Sequence, residues 1–459
     1  MIITSSENKH VAVYVFPFGS HPIPLLNLVL KLAHASPSIL FSFIGTPQSN
    51  QPIFSKPNNI PNNIKPFNIG DGVPHGHVLG SNPIERANLF LQAGHQNLQS
   101  GIDSAVADTK VKVTCIIADA FVVPSLFVAQ RLNVPWIPVW PPLSCSLSVH
   151  FYTYFIRQKC AENNARDRFL DFLPGLSKMR VEDLPDDIIN CGEDEDDETL
   201  FSKTLASFGE VLPQAKAVVM NFFEELDPPL FVEDMRSKLQ NMLYVGFLTL
   251  SIPLPPLPPS ENDETGCLSW LDKQKSTSVV YVSFGTTVTP PPHELVALAE
   301  ALEESGFPFL WSLKDHLKGL LPEGFLERTS DIGKIVAWVP QTQVLGHDSV
   351  GVFVTHCGCN SVFESISNGV PMICRPFFGD HGMTGRMVED IWEIGVKIEG
   401  GVFTKNGLLK SLNLILVKED GKKMRENAQK VKQTVLDAAG PNDKAAQDFK
   451  TLVEIIYSS

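Results

Sequence analysis

Residues 338–381 read WVPQTQVLGHDSVGVFVTHCGCNSVFESISNGVPMICRPFFGDH, and the fold is decided there. The run 351–355, GVFVT, suits a strand buried on both faces. It is followed by the turn His356-Cys357-Gly358-Cys359-Asn360-Ser361 and then by a helix start. Free backbone N–H groups and the positive end of the helix dipole therefore converge on one point, which suits an anion such as a diphosphate without calling for a metal. Gly358 reads as a conformational requirement of the turn. Ser361 and Glu364 admit a purely local reading as well, since Ser-x-x-Glu is a capping box. The stretch closes on two polar side chains, Asp380 and His381.

Outward from this stretch, strand-like runs at 279–283, 309–312 and 334–338 are separated by helix-length segments. Upstream, residues 251–260 (SIPLPPLPPS) place Pro253, Pro255, Pro256, Pro258 and Pro259 too close together for a helix or a central strand, so the segment is an extended connection. The first half repeats the pattern. Residues 11–16 form a strand, 17–20 a break, and 23–33 a helix with Ile23, Leu26, Leu30 and Ala33 on one face. A strand at 113–118, a helix at 126–132 and a strand at 134–139 follow. The prediction is an α/β chain of two doubly wound lobes: residues 1–245, a proline-rich linker 246–262, residues 263–440, and a C-terminal helix in 441–459 that packs back on the first lobe.

With 459 residues, 43% hydrophobic and 19% charged, the chain is long enough for two or three globular domains. A formal net charge of −14 repels nucleic acid and anionic membrane, so a small ligand is the better partner. The eight cysteines are scattered through apolar runs, as reduced thiols are. No apolar run reaches membrane-spanning length and no leader pattern opens the chain, which predicts a cytoplasmic protein without stable membrane insertion. In the acidic run 192–199, Asp194-Glu195-Asp196 forms an Asp-x-Asp, but a block of like charges reads first as a solvated loop. Cys357 and Cys359 beside His356 lack a second ligand pair, and no zinc is assigned.

His21, in FPFGSHPIP, stands at a helix entrance beyond the first strand, the edge where doubly wound sheets gather ligands. A helix N-terminus disfavours imidazolium and leaves a ring able to accept a proton. The plain alternative is a surface histidine. Asp119, in IIADAF, either caps the next helix or holds the second nitrogen of His21. Spacing does not choose between these readings. Nor does a nicotinamide fingerprint appear, since Gly70, Gly72 and Gly76 miss Gly-x-Gly-x-x-Gly by one residue.

The box at 338–381 together with FPFGSH, TPPPHEL at 289–295 and the run 375–404 resembles plant UDP-sugar-dependent glycosyltransferases of family 1. The likeness runs over most of the chain and is strongest to flavonoid and anthocyanidin 3-O-glycosyltransferases. It implies a GT-B fold, two Rossmann-like domains facing a cleft, and an inverting transfer with no metal or cofactor. It implies His21 as general base paired with Asp119. For the donor it implies Trp338 on uracil with Gln341 beside the nucleoside, Glu364 on the ribose, His356, Gly358, Asn360 and Ser361 at the diphosphate, and Thr286 nearby. Cys359, Asp380, His381 and Pro141 would face the sugar, while Gly19, Ile84 and His150 would line an acceptor pocket. Relatives that use UDP-glucose commonly end the box in Asp-Gln and carry tryptophan at 359. A histidine at 381 points to UDP-galactose, whereas proline at 141, where relatives have a threonine reaching the sugar 6-hydroxyl, points to UDP-rhamnose or UDP-arabinose. The expectation is galactose transfer to a flavonol or anthocyanidin 3-hydroxyl by a monomer. UDP-rhamnose, UDP-arabinose or UDP-glucose remain alternative donors, and Cys359 leaves open a non-catalytic binding protein.

Overall fold

A computed structural model describes residues 9–55, 60–80, 82–161, 168–189, 198–258 and 263–459. Strands β1 (His10–Tyr14), β2 (Leu40–Gly45), β3 (Ile64–Asn68), β4 (Cys115–Asp119), β5 (Trp136–Trp140), β6 (Val218–Met220) and β7 (Met242–Tyr244) make one sheet in the order β3-β2-β1-β4-β5-β6-β7. Strands β8 (Val279–Ser283), β9 (Phe309–Ser312), β10 (Gly333–Val336), β11 (Val350–Thr355), β12 (Met372–Cys374) and β13 (Gly395–Lys397) make the second, in the order β10-β9-β8-β11-β12-β13. Every pairing is parallel. β1, β4, β5 and β8 are buried along their whole length, which is why they are apolar runs without alternation.

The chain reverses its direction of growth between β1 and β4 in the first sheet, and between β8 and β11 in the second. At such a switch point the two crossovers leave in opposite directions and open a crevice at the carboxyl ends of the strands. His21 and Asp119 follow β1 and end β4. Thr286 and His356 follow β8 and β11. Two crevices are thus placed by topology alone.

Helix Pro22–Ala35 buries Leu25, Leu28, Val29 and Leu32 as well as Leu26 and Ala33. The face expected from Ile23 and Leu30 is rotated: Ile23 is exposed and Leu30 half-buried, because proline at positions 22 and 24 fixes the first turn with Pro22 and Pro24 inward. Strand bounds also shift by a residue or two. The strand expected to include Trp338 ends at Val336, which leaves Trp338 exposed, and the strand expected at 113–118 begins at Cys115 and takes in Asp119 itself.

The halves meet through apolar and polar contacts. Phe247 stacks on Phe363 with ring centroids 4.3 Å apart, and the Trp392 indole donates to the Leu226 carbonyl at 3.1 Å. Helix Lys444–Tyr457 lies against β7, where the Tyr244 amide donates to Asp448 at 3.0 Å, and it buries Leu452 and Ile456 in the first-half core. Residues 251–258 contain no helix or strand, whereas Pro259 and residues 260–262 lie outside the described residues. Asp194, Glu195, Asp196 and Cys191 lie outside them too. The other seven cysteines are free thiols, and no described helix is long and apolar enough to cross a membrane.

Candidate active site

His21 caps the N-terminus of helix Pro22–Ala35, and its Nδ1 lies 2.7 Å from Asp119 Oδ2. Asp119 is fully buried at the end of β4, and its other oxygen accepts from the Phe121 amide at 3.0 Å. The carboxylate is therefore fixed by its own loop, and it fixes the imidazole in turn. Phe16 and Phe121 pack edge-on and tilted against the ring at 5.1 and 4.7 Å, and its far nitrogen has no hydrogen-bond partner among the described residues. The arrangement can hold one tautomer and take a proton at that nitrogen.

His21 opens into a cavity of about 750 Å³ lying between the halves. Gly19, Ile84 and His150 are on its wall with Phe16, Phe18 and Phe121, and the second half contributes Phe378, Gly379 and Asp380. An aromatic-lined space of this size fits a planar, drug-sized molecule. His150 is buried against Trp140 and Phe208, its Nδ1 has no partner among the described residues, and burial lowers its pKa to about 4. Of the two prolines after Trp140, Pro142 lines this cavity, while Pro141 is buried with its carbonyl accepting from Asn221.

On the second half, His356 is buried beyond β11. Burial, with His381 adding to it, pushes its pKa down to about 3. The two imidazoles meet edge to face at 5.1 Å, and both Nδ1 atoms lack a partner among the described residues. Gly358 has an ordinary extended backbone, φ −64° and ψ 137°; it is Cys357 that takes the left-handed conformation, φ 66°. Glycine at 358 is thus not the turn requirement expected. It is needed for space, since a Cβ there would stand 3.1 Å from His356 Cε1 and closer still to Nε2. Gly285 is left-handed at φ 68° and brings its Cα against the same ring. Thr286 beside it is exposed.

Helix Cys359–Asn368 starts at the Gly358 cap with no side-chain cap, so Ser361 is its third residue and cannot form the capping box with Glu364. Both serve another purpose. Gln341 donates to the Ser361 hydroxyl at 3.0 Å and also to Glu364, which accepts from Thr342 as well, and burial raises the Glu364 pKa. Asn360 accepts from Thr249, in the connection between the halves, at 3.2 Å. Trp338 is 65% exposed and Phe378 55%.

Asp380 caps helix His381–Arg386. Its Oδ2 accepts from the Leu143 amide at 3.2 Å, across the cleft, and from the Cys359 thiol at 2.9 Å. Burial, and then Asp380 itself, holds that thiol well above its ordinary pKa, so it is a donor rather than a thiolate. Neither partner was legible in the sequence. Leu143 contributes a backbone atom, which leaves no side-chain signal, and the aromatic wall includes Phe201, from a helix with no motif. Among the described residues no cluster of three metal-ligating side chains occurs.

A model of the UDP-glucoronosyl and UDP-glucosyl transferase family matches residues 86–438. A flavonol 3-O-glucosyltransferase of Actinidia chinensis var. chinensis is 46% identical over 98% of this chain and 97% of its own. An anthocyanidin 3-O-galactosyltransferase of the same plant is 46% identical over 99% of each. The crystal structure of a UDP-glucose:anthocyanidin 3-O-glucosyltransferase in complex with UDP matches with a TM-score of 0.93 and 64% identity, over 98% of this chain and 99% of that one.

Proposed function

The chain belongs to the UDP-glucoronosyl and UDP-glucosyl transferase family and is a glycosyltransferase, and on that premise we propose that it transfers a sugar from a UDP-sugar to the 3-hydroxyl of a flavonol or anthocyanidin, with inversion and with galactose as the sugar. One observation carries the reading: a single aromatic-lined cavity joins the His21–Asp119 pair of one half to Asp380 of the other. His21 takes the acceptor hydroxyl proton at its free nitrogen, and Asp119 steadies the imidazolium that forms. The acceptor oxygen attacks the anomeric carbon from the face opposite UDP, so one displacement inverts the centre. UDP departs toward the amides that open helix Cys359–Asn368, where charge developing on the diphosphate meets the helix N-terminus. His356 and Ser361 stand at that end, Gln341 and Glu364 at the nucleoside, and Trp338 offers its face to uracil.

The donor is read from the sugar end. His381 stands where glucose-using relatives commonly have glutamine, and a buried Nδ1 with no partner among the described residues selects a hydroxyl geometry that satisfies it. UDP-glucose is the second reading, favoured by the name of the enzyme that is 64% identical. The test is a mass-spectrometric assay with quercetin and cyanidin and four donors, UDP-galactose, UDP-glucose, UDP-rhamnose and UDP-arabinose. Product chiefly from UDP-galactose supports the first reading, and product chiefly from UDP-glucose supports the second. Absence of product from every donor sinks both and favours a binding protein.

A further inference from the structure

Asp183 ends a short turn, Val181–Asp183, in the first half, and its side chain is fully buried. Its carboxylate faces two cations of the second half. Arg386 reaches it with Nε at 2.8 Å and Nη2 at 3.2 Å, and Lys397 ion-pairs with the same group. The Arg386 guanidinium is further engaged by Glu182, Glu389 and Asp390. Arg386 closes the six-residue helix that His381 opens and Asp380 caps. Near its start, Gly382 meets the Asp183 backbone so closely that a Cβ would lie 2.5 Å from the Asp183 carbonyl oxygen. Just beyond Asp183, Pro185, Asp186 and Asp187 form part of the cavity wall.

We infer that Asp183, clasped by Arg386 and Lys397, is a positioning residue for the transfer. It locks the helix that carries Asp380 and His381 to the turn that carries the cavity wall, and so sets the distance between donor sugar and acceptor. A buried ion pair is a weak source of stability, because desolvation offsets most of the attraction. What a two-pronged arginine–carboxylate contact supplies is direction. Apolar contacts between the halves, such as Phe247 on Phe363, are held by a non-directional attraction that fixes register weakly. Register must come from a directional contact, and misplacement of reacting groups by about 1 Å costs on the order of 100-fold in rate. The inference rests on Asp380 and His381 facing the sugar.

The test compares the wild-type enzyme with Asp183→Asn, Arg386→Lys and Gly382→Ala, the last of which alters the spacing without touching a charge. Three quantities are read for each: the UDP dissociation constant by calorimetry, kcat and KM for transfer, and hydrolysis of UDP-sugar without acceptor. In hydrolysis a water oxygen replaces the acceptor oxygen at the anomeric carbon, and free sugar and UDP are released. UDP affinity should stay within threefold, since Trp338, Gln341 and Glu364 lie on other elements. Transfer kcat should fall at least tenfold in Asp183→Asn and Gly382→Ala, and less in Arg386→Lys, which keeps the charge but not the fork. The ratio of hydrolysis to transfer should rise at least fivefold, because water needs no positioned acceptor. Folded variants with wild-type kcat and ratio would overturn the inference. So would variants that lose UDP binding and transfer together, which would make the clasp merely structural. Absence of transfer by the wild type would strike the sugar-facing reading instead, before any variant is compared.

Discussion

Gly358→Ala isolates the tightest glycine contact at the end of the site proposed to hold the diphosphate. The backbone there, φ −64° and ψ 137°, accepts alanine without strain, so the effect is steric alone. The new Cβ would stand 3.1 Å from His356 Cε1 and 3.2 Å from Cδ2, and closer still to Nε2, where ordinary contact needs roughly 3.5–4.0 Å. His356 has little slack, since Gly285 also packs against its ring and His381 meets it at 5.1 Å. The ring must leave its place, and a hydrogen bond from it to the diphosphate, which the proposed donor site would use, is lost. A hydrogen bond to a charged group contributes about 1.5–3 kcal/mol. UDP affinity should therefore fall roughly 10- to 150-fold. Calorimetry with UDP reads this directly, and a double-mutant cycle guards against a diffuse effect. In a His356→Ala background the obstacle is gone, so Gly358→Ala should then cost little, with a coupling of at least about 1 kcal/mol. Wild-type affinity in Gly358→Ala, or strict additivity in the cycle, would refute the reasoning.

Asp119→Asn keeps the shape of the side chain but loses the charge that steadies His21. Transfer kcat should fall roughly 10²–10⁴-fold while UDP affinity is unchanged, as steady-state rates and calorimetry would show. His381→Gln should lower the ratio of kcat/KM for UDP-galactose over UDP-glucose at least tenfold, about 1.4 kcal/mol, and an unchanged ratio would remove His381 as the sugar determinant. His150 gives a pH dependence of stability. Its native pKa, about 4, is below the unfolded 6.5, so under pH 6.5 the unfolded chain binds a proton that the native protein refuses. Stability is thus lost as the pH falls from 6.5 toward 4, by about 2 kcal/mol at pH 5 from this group. His150→Phe should show a smaller drop in thermal midpoint between pH 7.5 and pH 5 than the wild type, and an equal drop would contradict the assignment.

The fully buried strands were legible because burial on both faces leaves an unbroken apolar run: β8 and β9 were read to the residue, 279–283 and 309–312. The three-residue strands β6, β7, β12 and β13 carry too few residues to show a period, and their existence depends on neighbours far along the chain. At the site, residue types that bear chemistry could be picked out, and the resemblance paired His21 with Asp119, which lie 2.7 Å apart, but the other partners could not be read. Asp380 is held by a backbone amide 237 positions away, and Arg386 by Asp183 at a separation of 203. Ser361 and Glu364 were expected at the donor, with a local capping box as the alternative; the observed helix start excludes the cap, and Gln341 donates to both. Gly358 was read for its backbone freedom when what matters is the ring packed over it. Sequence patterns carry local geometry well, whereas these features are set by tertiary proximity.

In the proposed reaction His21 takes the acceptor proton and does not hold UDP. The most direct test is to measure transfer and UDP binding side by side for His21→Ala, using quercetin with the preferred donor. UDP affinity should stay within twofold of wild type while transfer falls by roughly 10² or more. Transfer persisting near the wild-type rate in a folded, UDP-binding variant would contradict it.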